Sequence, residues 1–247
     1  MSIDKGTRVA VVTGGSRGIG RAIVRRLAEQ GYAIAVGYAG NAEEAAAAVK
    51  EAAAAGAEAF AYRADVADET AVAGLFDETE TRFGGVDVVL NLAGRLYLAP
   101  VAEMDLDEVD ALHRTNIRGA FVVAREAARR VRPGGSIALF STSVVGTYHL
   151  TYGAYAASKG AVEALGKTLA REMRGRDVNV NIIAPGPTAT ELFFEGKSEE
   201  LIDRLAKAAP LERLGEPHDI AEVAAFLASP EGHWVNGQVV RANGGMV

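Results

Sequence analysis

The sequence predicts a doubly wound α/β fold in a single domain, with a parallel sheet of about seven strands covered by helices on both faces. Three observations carry this. Short β-rich apolar runs alternate with longer helical patterns from end to end, a glycine-rich stretch follows the first run directly, and no proline- or glycine-rich linker divides the chain. At 247 residues with 49% hydrophobic content, the chain can bury a sizeable core.

Taken in order, the expected strands are "RVAVVT", "AIAVGY", "AFAYRA", "VDVVLNLA", "SIALFST", "VNVNIIAP" and "GQVVRA". The helical patterns between them include "GRAIVRRLAEQ", "NAEEAAAAVKEAAAA", "DETAVAGLFDETETRF" and "GAVEALGKTLAREMR". The alanine-rich stretch from Asn41 to Ala55 fills the place of a crossover helix, and its Ala, Glu and Lys are strong helix formers, so it reads as scaffold. Residues 187–214 break the rhythm. A long segment between the last two strands reads as a substrate-side cap.

Composition narrows the function. The 26 basic and 32 acidic residues leave a net charge of −6, which argues against a nucleic-acid or membrane-surface binder. Absence of cysteine excludes disulfides, thiol catalysis and thiolate metal sites. His113, His149, His218 and His233 show no metal-ligand spacing, so no metal is expected. The N-terminal "MSIDKGTR" has no cleavable signal pattern and no apolar run approaches a membrane span, which makes a cytoplasmic enzyme the expectation.

Two stretches carry chemistry. In "TGGSRGIGRAI", Gly14, Gly18 and Gly20 stand where the first strand turns into a helix, so the backbone can approach a pyrophosphate while the helix N-terminus offers free N–H groups. This is the phosphate loop of a Rossmann-type fold, and it brings Ser16, Arg17 and Ile19 with it. In "YGAYAASKG", Tyr155 and Lys159 are four apart and therefore stacked on one helix face, whereas Tyr152 has Ala156 above it. A free tyrosine has a pKa of about 10, and an ammonium roughly 4–5 Å away would lower it by about two to three pK units at an effective dielectric of about 20. That expectation makes Tyr155 a candidate acid/base. Tyr152 has no such partner.

The loop spacing is TGxxxGxG. Together with "NLAG" at Asn91 to Gly94, Asn116, Ser143, the Tyr155-x-x-x-Lys159 pair and Pro185-Gly186, it resembles the classical short-chain dehydrogenases/reductases over essentially the whole chain, in particular the branch containing 3-oxoacyl-[acyl-carrier-protein] reductases. The resemblance implies that Tyr155 is the acid/base, Lys159 tunes it and holds the nicotinamide ribose, Ser143 hydrogen-bonds the substrate carbonyl and Asn116 helps relay protons. Ser141 shares the alternating side of Ser143, but Ser143 lies twelve residues before Tyr155, near the family's interval. The resemblance also implies cofactor contacts from Asn91, Ala93 and Gly94, from Asp65 and Val66 at the adenine, and from Pro185, Gly186 and Thr188 at the carboxamide. Asp65 has a second reading as the cap of the helix starting near Asp68. Two departures stand out: Leu92 replaces an asparagine, and Asn243 replaces the aspartate of a C-terminal "DGG". Neither removes a group expected to do chemistry.

Cofactor choice turns on the end of the second strand. "VGYAGN" places Tyr38 where an NAD-selecting acid is expected, and Arg17 lies in the glycine loop, so NADP(H) is expected over NAD(H). The leading reading is an NADP-dependent oxidoreductase acting on a small-molecule ketone or secondary alcohol, with a 3-oxoacyl thioester as one option. A catalytically weak dinucleotide sensor on the same fold would need no Asn, Ser, Tyr and Lys set, and a methyltransferase would need no Tyr-Lys pair. An acyl carrier would require a basic docking surface, for which "REAARRVR" and "REMRGR" offer Arg125, Arg129, Arg130, Arg132, Arg171, Arg174 and Arg176. The resemblance implies a homotetramer.

Overall fold

A computed structural model describes residues 6–247. Seven strands form one parallel sheet in the order β3-β2-β1-β4-β5-β6-β7. They are β1 (Val9–Thr13), β2 (Ala33–Tyr38), β3 (Ala59–Arg63), β4 (Val86–Asn91), β5 (Val131–Phe140), β6 (Val178–Pro185) and β7 (Val239–Ala242). The chain starts in the middle, winds outward to β3, returns beside β1 with β4 and winds the other way. Connections therefore diverge after β1 and β4, and they leave a crevice at the carboxyl ends of the strands. Every expected strand is present. β5 begins earlier than its apolar run, at Val131, with an irregular register between Val86 and Val88 of its neighbour.

The helices are α1 (Gly18–Glu29), α2 (Ala42–Ala54), α3 (Glu69–Phe83), α4 (Leu106–His113), α5 (Gly119–Arg130), α6 (Val144–Thr147), α7 (Gly153–Glu172), α8 (Glu191–Phe194), α9 (Glu199–Lys207) and α10 (Pro217–Ala228). Strand alternation decides which face each packs on. Ala10 and Val12 of β1 face Ile23 and Leu27 of α1 and Ile220 of α10, while Val11 faces the cluster of Leu75 and Phe76 of α3, Val123 of α5 and Leu169 of α7. Both faces are thus covered.

Local chemistry sets the helix ends. The Asn41 side chain accepts from the amides of Glu43 and Glu44 and starts α2, whose alanines 45, 48 and 52 make its buried stripe. Asp68 caps α3 in the same way, and Gly84, at φ 79°, ends it in the left-handed conformation. Residues 187–214 carry α8 and α9, and the segment is tied down where Ala189 N donates to Gly215 O and Gly215 N to Pro187 O. Among the described residues no helix is long and apolar enough to cross a membrane, and no three metal-ligating side chains cluster.

Candidate active site

The crevice is a cleft of about 810 Å³ running from Tyr38 past the glycine loop to Thr188, α8 and α9. Its floor needs glycine. Gly14 and Gly18 have φ of 68° and 52°, and a Cβ on Gly14 would lie 2.9 Å from Ala93 N, while one on Gly20 would lie 2.1 Å from Gly14 O. The first turn of α1 follows Arg17, whose side chain makes no capping bond, in contrast to the capped starts of α2 and α3. Open amides above a side-chain-free cradle suit a pyrophosphate. A dinucleotide fits the residues present.

Most of the expected cofactor residues line this cleft: Gly14, Ser16, Arg17, Gly18, Ile19, Gly20, Tyr38, Asp65, Val66, Ala93, Gly94, Pro185, Gly186 and Thr188. Asn91 does not. Its side chain is buried in the sheet, where Oδ1 accepts the Thr13 hydroxyl at 2.6 Å and ties β4 to β1. Its part is to hold together the two strand ends that frame the cleft. Asp65 does not cap α3, since Asp68 does; its Oδ1 accepts from Ala67 N and its Oδ2 pairs with Arg114 at 3.0 Å. Thr188 is buried and donates to Gly186 O at 2.9 Å, which braces the loop after β6. Leu92 lines the cleft in place of the expected asparagine and packs on the core.

At the inner end stand Ser143, Tyr155 and Lys159. Helix α7 starts at Gly153, which places Tyr155 in its first turn and Lys159 one turn on. Lys159 is buried, and its Nζ donates to Phe140 O at 2.8 Å. Ser141 is turned toward α7, with its hydroxyl on Glu163 Oε1 at 2.9 Å. Ser143 instead accepts from Asn243 Nδ2 at 2.9 Å and reaches Ala184 O at 3.3 Å. Asn116 does not open onto the cleft. It sits in a π-helical turn, Arg114–Arg118, holds Arg95 through both its N–H and its carbonyl, and donates to Ser158 Oγ, which in turn donates to Tyr155 O. Asn116 therefore fixes the loop after β4 and the start of α7 to each other.

The expectation that Lys159 lowers the pKa of Tyr155 does not hold in this structure. One edge of Tyr155 opens onto the cleft. Burial of the phenol by the surrounding protein, with Tyr152 beside it, pushes it up to about 12, although a hydrogen bond with Thr142 pulls the other way. Burial is the largest cause of the rise, and the Lys159 Nζ lies 5.9 Å from the ring centre. The same burial brings Lys159 down to about 8. Between about pH 8 and the 10.5 of a free lysine, the unfolded chain holds a proton that folded Lys159 has released, so stability rises with pH there. Tyr155 acts oppositely above pH 10, where an unfolded phenol ionises first. Urea unfolding of the cofactor-free protein is therefore expected to show stability rising by about 2 kcal/mol between pH 8 and 9.5 relative to Lys159→Met. Parallel curves for the two proteins would overturn this account of the buried amine.

Sequence reasoning missed Thr142, Asn243, His149, Met246 and the cap residues Leu192, Phe193 and Leu205, all but Asn243 lining the cleft. Thr142 stands between the two serines weighed above. Asn243, a departure from the family motif, has its amide bonded to the candidate carbonyl-binding serine.

A sequence model of the family described as Enoyl-(Acyl carrier protein) reductase matches residues 14–247. The "Short-chain type dehydrogenase/reductase" of Picea abies is 45% identical over 252 residues, covering 98% of this chain and 93% of that one. The chain belongs to the short-chain dehydrogenase/reductase family. Another relative in it, "NADPH-dependent aldehyde reductase 2, chloroplastic" of Arabidopsis thaliana, is 44% identical, covering 96% of this chain and 93% of that one. Among solved structures of short-chain dehydrogenases, that from Burkholderia cenocepacia J2315 in complex with NADP superposes with a TM-score of 0.91 at 36% identity, covering 98% of both chains. The seven-stranded doubly wound sheet is the architecture shared with these short-chain dehydrogenase/reductase structures.

Proposed function

We propose that this short-chain dehydrogenase/reductase is an NADP(H)-dependent carbonyl reductase that acts on apolar ketones or aldehydes. The observation that carries the reading is a single cleft with an acid, Tyr155, beside Ser143 and Lys159 at one end, and a glycine cradle with Arg17 and Tyr38 at the other. Bound NADPH would supply the hydride. Ser143 would hold the carbonyl oxygen by a hydrogen bond, and Tyr155 would give that oxygen its proton. A phenol held up at about 12 keeps its proton at neutral pH, so it is loaded for donation to an alkoxide, a far stronger base than a phenolate. Lys159 supports the ribose side, and Asn116 acts by positioning the Tyr155 turn.

The NADP reading rests on the corner formed by Arg17, Tyr38 and Asn41. Among the described residues no carboxylate pairs with Arg17, and Glu44, which lines the same corner, is held by Arg21 at 2.6 Å. The Asn41 carbonyl is occupied by the start of α2, so its Nδ2 is the end of that side chain left to meet a phosphate. On the substrate side, Leu96, Tyr152, Leu192, Phe193, Leu205 and Met246 make an apolar, partly aromatic wall. That wall favours a carbonyl with a hydrophobic body over a sugar.

Docking of an acyl carrier has weaker support than its arginine clusters promised. Arg125 pairs with Glu69, Arg129 and Arg130 with the buried Glu126, and Arg132 with Asp87. Those four guanidinium groups are paired within the fold, whereas Arg171, Arg174 and Arg176 have no carboxylate partner among the described residues. NADPH oxidation measured with hydrophobic ketones, aldehydes, quinones, 3-oxoacyl thioesters and enoyl thioesters tests the proposal. Turnover of the free hydrophobic carbonyls is expected; reduction confined to enoyl thioesters, or no reduction, would overturn it.

A further inference from the structure

We propose that Lys197, on the turn between α8 and α9, recognises a carboxylate at the substrate end of the cleft, so that the preferred substrates join an apolar carbonyl-bearing body to a carboxylate. The inference rests on the carbonyl-reductase reading above and narrows its substrate class. Lys197 is half-buried and lines the cleft together with Leu192 and Phe193 of α8 and Leu205 of α9.

Local structure delivers it there. The Thr190 hydroxyl accepts from Phe193 N at 3.2 Å and starts α8. After that single turn the chain passes through Gly196 in the left-handed region, at φ 70°, and Lys197 N donates to Phe194 O at 3.2 Å. The Ser198 hydroxyl then accepts from Leu201 N at 3.3 Å and starts α9. Lys197 is thus fixed between a closed turn and a capped helix. Its Nζ lies 5.0 Å from the centre of the Phe193 ring, which is itself set edge-on against Phe194 with centres 5.5 Å apart. Attraction to the ring keeps the ammonium at the apolar wall.

The charge has no ionic partner. Among the described residues no carboxylate pairs with Lys197, in contrast to Lys207 of α9, which pairs with Asp203 at 2.8 Å. Other charged groups along the cleft are already engaged: Lys159 donates to Phe140 O, Glu44 is held by Arg21 and Asp65 by Arg114. Glu191, the first residue of α8, is exposed. Partial burial pulls the Lys197 pKa below the ordinary lysine range, while Glu195 acts in the opposite direction. An ammonium partly withdrawn from water gains more from an arriving carboxylate than a fully solvated one does, because the attraction is less screened. The phosphates of a dinucleotide are served elsewhere, by the uncapped start of α1 and by Arg17. A carboxylate on the substrate is the anion left for Lys197 to meet.

The test is a series of oxo-carboxylic acids of increasing chain length, each paired with its methyl ester and reduced with saturating NADPH at pH 7. For at least one length the acid is expected to exceed its ester by roughly tenfold or more in kcat/KM, mainly through a lower KM. Lys197→Met, which keeps a long apolar side chain and removes the charge, is expected to bring that ratio to within about twofold of one, and Lys197→Arg to retain most of it. NADPH affinity of Lys197→Met, by fluorescence titration, is expected to stay within about twofold of wild type. Acids no better than their esters at every length overturn the inference and leave the carbonyl-reductase reading standing. A ratio unchanged in Lys197→Met does the same, as does a tenfold weaker NADPH affinity in that variant, which would place the cation on the cofactor. A wild type that reduces neither acids nor esters overturns the parent reading, and this one with it.

Discussion

Tyr155→Phe is expected to lower kcat for carbonyl reduction by roughly two to four orders of magnitude while leaving NADPH affinity within a few-fold of wild type. The substitution removes one oxygen atom and its proton. The ring keeps its place against Tyr152, whose centre is 6.3 Å away and nearly edge-on. The helix start is unaffected, because Ser158 bonds the Tyr155 backbone carbonyl and not its side chain. What disappears is the proton that the alkoxide must receive, and no other acidic hydroxyl beside Lys159 on α7 can replace it. Tyr152→Phe is the control. Tyr152 lines the same cleft and is itself pushed above its usual pKa by burial, yet it lies a turn away from the Lys159 face. Its loss should change kcat by no more than about threefold, the scale of a modest packing or hydrogen-bond change. Steady-state kinetics on both variants decide the matter, and an inactive Tyr152→Phe beside an active Tyr155→Phe would reverse the roles.

Tyr38→Asp is expected to invert cofactor preference. In the unmodified protein, the 2′-phosphate of NADPH would meet Arg17 and no unpaired carboxylate at the end of β2. A charge-assisted contact contributes about 1.5–3 kcal/mol, which corresponds to roughly a ten- to hundredfold advantage in kcat/KM for NADPH over NADH. An aspartate at position 38 would repel the phosphate and accept from the ribose hydroxyls of NADH. Arg17→Ala should weaken NADPH without improving NADH, because it removes attraction and adds no acceptor. Equal efficiency with both cofactors in the wild type would show that another group contacts the adenosine ribose.

The fold was legible because short continuous apolar runs and helical stripes are local signals, and each of the seven runs became a strand. The cleft-lining residues of the glycine loop were legible for the same reason: positions 14, 18 and 20 are tied to a strand-to-helix turn whatever lies around them. Electrostatics were not. The spacing of Tyr155 and Lys159 puts a cation near a phenol, but it says nothing of how deeply either is buried, and burial decided the direction of both shifts. Residues acting across the sheet were also hidden. The Thr13 to Asn91 bond spans 78 positions and the Ser143 to Asn243 bond spans 100, so no local pattern announces either. The Asn91 side chain, expected at the cofactor, bonds Thr13 within the sheet.

The strand order also bears on how the chain becomes this structure. β1, the first of these seven strands to be synthesised, occupies the centre of the sheet between β2 and β4, so one of its two edges stays unpaired until Val86–Asn91 has been made. Pairings this remote in sequence close slowly, and until they close, an apolar strand with an open edge is a template for association with other chains. The cleft matures later still, since Ser143 acquires its Asn243 partner only after β7 has docked on β6. The glycine-loop half, drawn from β1, β2 and β4, can form earlier in synthesis than the carbonyl half. A dinucleotide present during refolding would then meet its adenine-side site before the chemistry exists, and by binding only assembled sheet it would pull the population toward the native state. Refolding yields that rise with added NADP, most steeply at high protein concentration, would be the signature of that order.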